Sequence, residues 1–330
     1  MIRFYKQYAY SIGKLMKLLI YMPCLNEEEN IGNTINSLPT KLNGIDEIRV
    51  LVVDDGSTDS TTMIAKNANA QVISHGYNRG VGAAFQSAIN YALEDGFDIL
   101  VSIDADGQFN PAEISLLIDP ILKNQADMVI GNRFHNGKPK NMPSFKYLGN
   151  QWISQIINFV SNKNFQDVSC GYRAYSYEAL MRLNLFGNFT YTHETILSQV
   201  FKGTRVVEVP VWVQYDINRK SRVASSILRY AFQSSKIILR VLLDYRPMRF
   251  FGALGLFSFI IGSLFEFFLI GFYIINQRFT PYKSFGFIGL GFIIFGLLVF
   301  LIAFIADMIN RVKMNQDKIL YELRKTNYKK

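Results

Sequence analysis

Asp104 and Asp106, in the run Ser102-Ile103-Asp104-Ala105-Asp106-Gly107-Gln108, are the residues of this chain whose type and spacing point most directly to chemistry. Side chains alternate faces along an extended segment, so two carboxylates two residues apart point the same way. The apolar run Ile99-Leu100-Val101 before them reads as a buried strand, which sets the pair just past its carboxyl end. A hard divalent cation such as Mg2+ takes one or two carboxylates, several waters and a substrate's phosphate oxygens. An Asp-x-Asp is otherwise an ordinary turn or helix cap, so the surrounding elements must decide between the two readings.

Apolar, β-rich runs occur at Leu18–Met22, Ile48–Val53, Ala70–Ser74, Ile99–Ile103 and Met128–Ile130. Segments of helical pattern lie between them: Glu28–Leu38, Ser60–Asn67, Val81–Leu93 and Pro111–Lys123. The last opens with a proline and an acidic residue, both helix-start signals. Strand and helix alternating in this way predict an α/β fold, a mostly parallel sheet with helices on both faces. Ligands of such sheets bind outside the carboxyl ends of the strands. Polar clusters follow all five runs: Pro23-Cys24-Leu25-Asn26-Glu27-Glu28, Asp54-Asp55-Gly56-Ser57-Thr58-Asp59, Asn78-Arg79-Gly80, Asp104–Gln108 and Gly131-Asn132-Arg133. Five such clusters at one edge predict a site rather than five independent turns.

The chain is 49% hydrophobic, and the excess lies beyond Phe250, in Phe250–Ile275 and Phe285–Ala306. Each is long enough to cross a bilayer, which takes ~20 residues of helix. Much of the +9 formal charge flanks these segments. Arg229, Lys236, Arg240, Arg246 and Arg249 precede them, and Arg311, Lys313, Lys318, Arg324 and Lys325 follow. That asymmetry predicts that both termini and the large N-terminal domain face the cytoplasm of a cell membrane. Residues 1–17 are aromatic and basic without an apolar stretch of signal-peptide length. Cys24 and Cys170 lack metal-ligand spacing and read as reduced thiols. No basic stripe or reader motif for nucleic acid lies on the N-terminal part. The basic stretch Ser226–Tyr245, with apolar residues interleaved, reads as an interfacial helix. The expected domains are an N-terminal extension (1–17), a cytoplasmic α/β domain (18–224), interfacial helices (225–249), two membrane helices (250–306) and a basic tail (307–330). Glycines within the two spans point to close helix packing and a homo-oligomer, with Glu266 facing a neighbouring subunit.

Taken together, these motifs resemble family 2 glycosyltransferases of the GT-A fold, in particular the membrane-anchored polyprenyl-phosphate glycosyltransferases. The resemblance rests on Pro23-x-x-Asn26-Glu27, Asp54-Asp55-Gly56-Ser57-x-Asp59, Asp104-x-Asp106-x-Gln108, Gly131-x-Arg133, Asp167-x-x-x-Gly171-Tyr172-Arg173 and Arg246-Pro247-x-Arg249-Phe250-Phe251. It implies transfer of a sugar from a nucleotide-sugar donor to a polyprenyl phosphate at the membrane, with Mg2+ or Mn2+ as cofactor and inversion at the sugar. By the same resemblance, Pro23, Leu25, Asn26, Glu27, Val53, Asp54, Asp55, Gly80, Asp104 and Ala105 would form the nucleotide-sugar site, Asp55 bonding the base. Asp104, Asp106 and Gln108 would hold the metal. Asp106, Arg133 and Arg173 would be the catalytic set, and Arg173, Arg219 and Arg222 would bind the acceptor phosphate. Processive polysaccharide synthases share the nucleotide-binding half, but neither Trp152 nor Trp212 stands in their Gln-x-x-Arg-Trp context.

Two further stretches carry expectations. Phe134–Gln151, with Gly137, Pro139, Pro143, Lys138, Lys140 and Lys146, reads as a long irregular acceptor loop. His193-Glu194 reads either as a contact to the donor sugar or the acceptor, or with His193 as a satisfied structural histidine.

Overall fold

A computed structural model describes residues 15–184, 191–215, 239, 243 and 245–328. Arg219, Arg222, the start of the expected N-terminal extension and most of the expected interfacial helix lie outside the described residues. The chain divides into two compact units, one of residues 1–231 with Tyr321–Lys330 and one of Phe232–Leu320.

The first unit is built on a seven-stranded sheet. Its strands are β1 (Lys17–Cys24), β2 (Glu47–Asp54), β3 (Gln71–Ser74), β4 (Ile99–Ser102), β5 (Met128–Asn132), β6 (Arg173–Ser176) and β7 (Val206–Pro210), in the order β3-β2-β1-β4-β6-β5-β7. The helices are α1 (Ile31–Asn36), α2 (Thr61–Asn67), α3 (Val81–Glu94), α4 (Ile114–Leu122), α5 (Ser144–Ser161), α6 (Tyr177–Arg182) and α7 (Thr192–Phe201). β1 and β4 read as continuous apolar runs because both of their faces are covered: Leu18 to Met22 and Ile99 to Val101 are wholly buried. α3 contributes Phe85, Ala88, Ile89 and Ala92 to the same core at helical spacing.

The sheet departs from an all-parallel one at a single strand. β6 is antiparallel to both β4 and β5 and separates them. Its four residues carry no apolar run of the length that marks the other strands, so it lies outside the five expected runs. β7, parallel to β5, likewise lies outside the five expected runs, although Val206-Val207-Glu208-Val209 has the β-branched composition of a strand.

The expected irregular segment 134–151 is a loop only in its first half. Pro143, at φ −58°, precedes the 18-residue helix α5, which buries Ile153, Ile157 and Val160. Proline pre-sets the backbone for the start of a helix, so here it begins an element rather than interrupting one.

The second unit contains α8 (Pro247–Asn276) and most of α9 (Lys283–Asn327). Only 22% of each apolar window is buried inside the protein, too little for helices of a soluble core and suited to a bilayer crossing. The two helices pack through glycine. A Cβ on Gly262 would stand 2.6 Å from the Gly289 carbonyl oxygen, and one on Gly296 would stand 2.8 Å from that of Gly255. These glycines therefore join the two helices of one chain. Glu266 lies close to α9, its Oε1 2.9 Å from where a Cβ on Gly289 would be. α9 continues as one helix through the expected tail, and its last turns belong to the first unit.

Candidate active site

The carboxyl ends of β1 and β2 supply one half of the site. β2 ends at Asp54 and the turn begins at Asp55, and this separates the roles of the two acids. Asp54 is buried and accepts from Ser57 N (2.9 Å) and Ser74 Oγ (2.8 Å), so it shapes the turn instead of meeting a ligand. Gly56 completes that turn at φ +88°, where a Cβ would fall 2.6 Å from the Tyr77 backbone. Asp55 instead lines a cavity of about 520 Å³ with Pro23, Leu25, Arg79, Gly80 and Val81. Val53, an expected lining residue, is wholly buried within the sheet and does not border the cavity. Asn26, at φ +53°, accepts from Thr58 N through Oδ1 and donates its own N–H to Ser57 Oγ. It ties the β1 and β2 loops together. The Glu27 N–H is held by Thr61 Oγ1 at 2.8 Å.

The acid pair follows β4. The strand ends at Ser102, and a turn over Ala105 and Asp106 brings the carboxylates together, not the strand alternation itself. Ala105 is buried, its carbonyl oxygen accepting from Thr34 Oγ1. Asp106 Oδ1 accepts from Gln108 N, and the Gln108 carbonyl accepts from Gln214 N. Burial, then the neighbouring Asp106 charge, pushes Asp104 up to about 6, against the pull of Arg133 and Lys146. Gly171 gives this carboxylate room, since a Cβ there would lie 3.2 Å from Asp104 Oδ1. Among the described residues, His, Cys, Asp and Glu nowhere gather three or more into a cation cage. Two close carboxylates short of a full ligand set suit a cation completed by phosphate oxygens and water.

The cations come from β5 and α5. Arg133 is bidentate to Asp167, Nε to Oδ2 at 2.6 Å and NH2 to Oδ1 at 2.8 Å, and also donates to Tyr215 Oη and Ser169 Oγ. Its charge still reaches Asp104. Lys146, in the first turn of α5, lies with its Nζ 5.2 Å from the Tyr215 ring centroid. Burial and the nearby Arg133 lower its pKa, while Asp106 and Asp104 raise it. Lys146 therefore lies within electrostatic reach of the acids, a placement hidden in the sequence because its segment reads as an irregular loop.

Arg173 has a different place from the one expected. It is wholly buried and donates to the carbonyls of Cys170 (2.7 Å), Val168 (2.8 Å) and Thr192 (2.6 Å) and to Thr195 Oγ1 (2.8 Å). With its donors committed to backbone, it cannot bind an acceptor phosphate; it fastens the loop before β6 to the start of α7. His193 is also interior. Both ring nitrogens lack a hydrogen-bond partner, and burial, with Arg173 nearby, holds its pKa down at about 4. It stays neutral and does not touch the cavity.

The model of the family described as Glycosyl transferase family 2 matches residues 19–183, half of the chain. The chain belongs to glycosyltransferase family 2. The transferase is 38% identical over 189 residues to a UDP-N-acetylglucosamine–dolichyl-phosphate N-acetylglucosaminyltransferase from Methanococcus voltae, covering 52% of this chain and 73% of that one. It is 27% identical over 250 residues to a polyprenol monophosphomannose synthase from Mycolicibacterium smegmatis, covering 71% and 91%. Its fold is similar to that of glucosyl-3-phosphoglycerate synthase from Mycobacterium tuberculosis, solved with Mn2+, UDP-glucose and phosphoglyceric acid. That likeness has a TM-score of 0.54 at 22% identity and covers 72% of this chain and 81% of that one. The GT-A-type fold and the transferase class of this chain are thus established.

Proposed function

We propose that the transferase moves a sugar from a nucleotide diphosphate sugar to the phosphate of a polyprenyl lipid, with inversion, at the cytoplasmic face of a cell membrane. The observation that carries this reading is the acid pair Asp104–Asp106 within electrostatic reach of the cations Arg133 and Lys146. Such an arrangement suits a reaction between two phosphorylated ligands. Relatives named for polyprenol- and dolichyl-phosphate sugar transfer support the acceptor, and the two apolar helices suit a lipid substrate.

In this reading Asp104, Asp106 and Gln108 would hold a Mg2+ or Mn2+ ion, which would supply Lewis-acid stabilisation of charge on the leaving diphosphate. The cavity beside Pro23, Leu25, Asp55 and Gly80 receives the nucleoside. The acceptor needs little activation, because a phosphate monoester has its second pKa near ~6 and is largely ionised at neutral pH. The protein's task is then to bring one anion up to another. Lys146 offers an ammonium for the incoming phosphate, and Arg133, held rigid by Asp167, supplies a fixed positive field without reorganising. Arg219 and Arg222 are assigned to the acceptor phosphate on their sequence pattern alone. Assembly into a homo-oligomer would use the outer surface of the helix pair, where Gly252, Gly271 and Gly291 have open space around them.

The test is a transfer assay with purified full-length protein in detergent, undecaprenyl phosphate, Mn2+ and radiolabelled UDP- and GDP-sugars. Label passing into the organic phase, and lost with EDTA, is the expected result. Metal-dependent nucleotide binding without lipid labelling would show that the acceptor is a different molecule.

A further inference from the structure

Asp55, assigned above to the nucleoside, is already engaged on three sides. Its Oδ1 accepts from His75 Nδ1 at 2.9 Å and from Arg79 N at 2.9 Å, and its Oδ2 accepts from Gly80 N at 2.8 Å. An ionised carboxylate has about four lone-pair positions in all. One acceptor position is therefore left, and it belongs to Oδ2.

His75 makes this arrangement a fixed one. Facing a carboxylate, its Nδ1 must carry the hydrogen, and its Nε2 lies 2.9 Å from Ser87 Oγ on α3. The His75 side chain is only 3% exposed, so water cannot take its place at Oδ1. Its backbone N–H is also tied, to the Asp54 carbonyl at 2.9 Å. The imidazole is clamped at three points and permanently occupies one side of Asp55.

The bases differ in what they ask of such a group. The edge of uracil presents one donor, N3–H, between two carbonyl acceptors. The edge of guanine presents two adjacent donors, N1–H and the 2-amino group, and would need a free lone pair on each carboxylate oxygen. Oδ1 has none. A guanine seated here would leave a buried donor unpaired, which is the kind of mismatch that polar sites reject most strongly. The uracil carbonyls can meet the Arg79 guanidinium, which is exposed in the cavity wall and forms no ion pair among the described residues.

We infer that the His75-clamped Asp55 carboxylate, with a single free acceptor position, selects uridine over guanosine nucleotides. The inference rests on the proposed nucleotide-sugar function and specifies its donor class. His75 is in this scheme a positioning residue, acting on the base only through Asp55.

The test is calorimetric titration of full-length protein in detergent with UDP and with GDP, each with Mn2+. Wild type is expected to bind UDP at least tenfold more tightly. His75→Ala frees a lone pair on Oδ1 and should narrow the UDP-to-GDP ratio at least threefold, whereas His75→Asn, which can still donate from Nδ2, should restore it. A purely structural role for His75 would weaken both nucleotides together and leave the ratio unchanged, which would overturn the assignment to His75. If His75→Ala fails to fold, Ser87→Ala releases only the outer end of the clamp and should narrow the ratio in the same direction. Equal or tighter binding of GDP by wild type overturns the uridine inference alone. Failure of both nucleotides to bind overturns it together with the proposed nucleotide-sugar function on which it rests.

Discussion

Asp167 holds Arg133 by two parallel bonds at a place where their side chains are 0% and 9% exposed. Asp167 is itself fixed from behind, its backbone N–H donating to Glu208 Oε1 at 2.8 Å. Removing one partner of such a buried pair strands the other charge, which costs about 3 kcal/mol or more. Asp167→Asn should therefore lower the melting temperature and also reduce turnover, because Arg133 is freed from its fork. A melting temperature equal to wild type would show that Arg133 finds compensation elsewhere.

The burial of Arg173 predicts a stability effect, not an acceptor effect. Arg173→Ala removes the donor to three carbonyls and a hydroxyl at once, leaving buried acceptors unpaired. Thermal melting should fall by many degrees. In whatever folded fraction remains, KM for the lipid phosphate should stay close to wild type. A selective rise in that KM at unchanged melting temperature would return Arg173 to the acceptor site.

Asp106→Asn should reduce transfer by about a hundredfold or more, the scale on which lost electrostatic stabilisation is felt, and should abolish the metal dependence of nucleotide binding. Metal ligation requires the ionised carboxylate. With Asp104 at about 6, Mn2+-dependent nucleotide affinity should be full above that pH and fall as pH drops below it. A flat affinity profile between pH 7.5 and 5 would contradict the assignment of Asp104 as a ligand.

His193 predicts acid sensitivity of the fold. Its pKa of about 4 in the folded state lies below the ordinary histidine value near ~6.5. The unfolded chain therefore takes up a proton before the folded one does. The stability this group contributes is complete above the unfolded value and is lost as pH falls toward 4. His193→Leu, which cannot titrate, should flatten the decline of melting temperature between pH 6.5 and 4.5. An identical slope in both proteins would assign the acid sensitivity to other groups.

The end of α9 is pinned to α6. Tyr321 Oη donates to the Glu178 carboxylate at 3.0 Å, Arg324 donates to the carbonyls of Met181 and Leu183, and the Arg182 guanidinium lies 4.7 Å from the Tyr321 ring centroid. Tyr321→Ala with Arg324→Ala should destabilise the catalytic unit by about 1–3 kcal/mol, the sum expected of a few half-buried bonds. Thermal melting and protease cleavage near Leu183 would both report it. An unchanged cleavage pattern would show that α6 does not depend on this segment.

Much of the catalytic unit was legible in the residues themselves. Continuous apolar runs identify β1 and β4, because strands covered on both faces exclude polar side chains, and β2 shows such a run only in its buried second half. The turn-forming acids and glycines after them mark the edge where a ligand binds. The two apolar helices follow from length and composition alone. β6 escaped notice because four residues carry too little pattern, and α5 because Pro143 and its neighbours look like loop chemistry until a helix is seen to start there.

Periodicity and turn chemistry are local properties, so they fix which residues stand at the strand ends. Which of them face the cavity depends on the folded chain. Asp54 and Asp55 are adjacent in the chain and equal in chemistry, yet one is consumed by its own turn and the other meets the cavity. Arg133 and Arg173 belong to similar motifs, yet one sends its field toward Asp104 and the other is spent on backbone carbonyls. Lys146 and His75 acquire their places only when α5 and β3 are folded against the acids. Burial and hydrogen-bond competition depend on neighbours distant in sequence, and no local pattern encodes them.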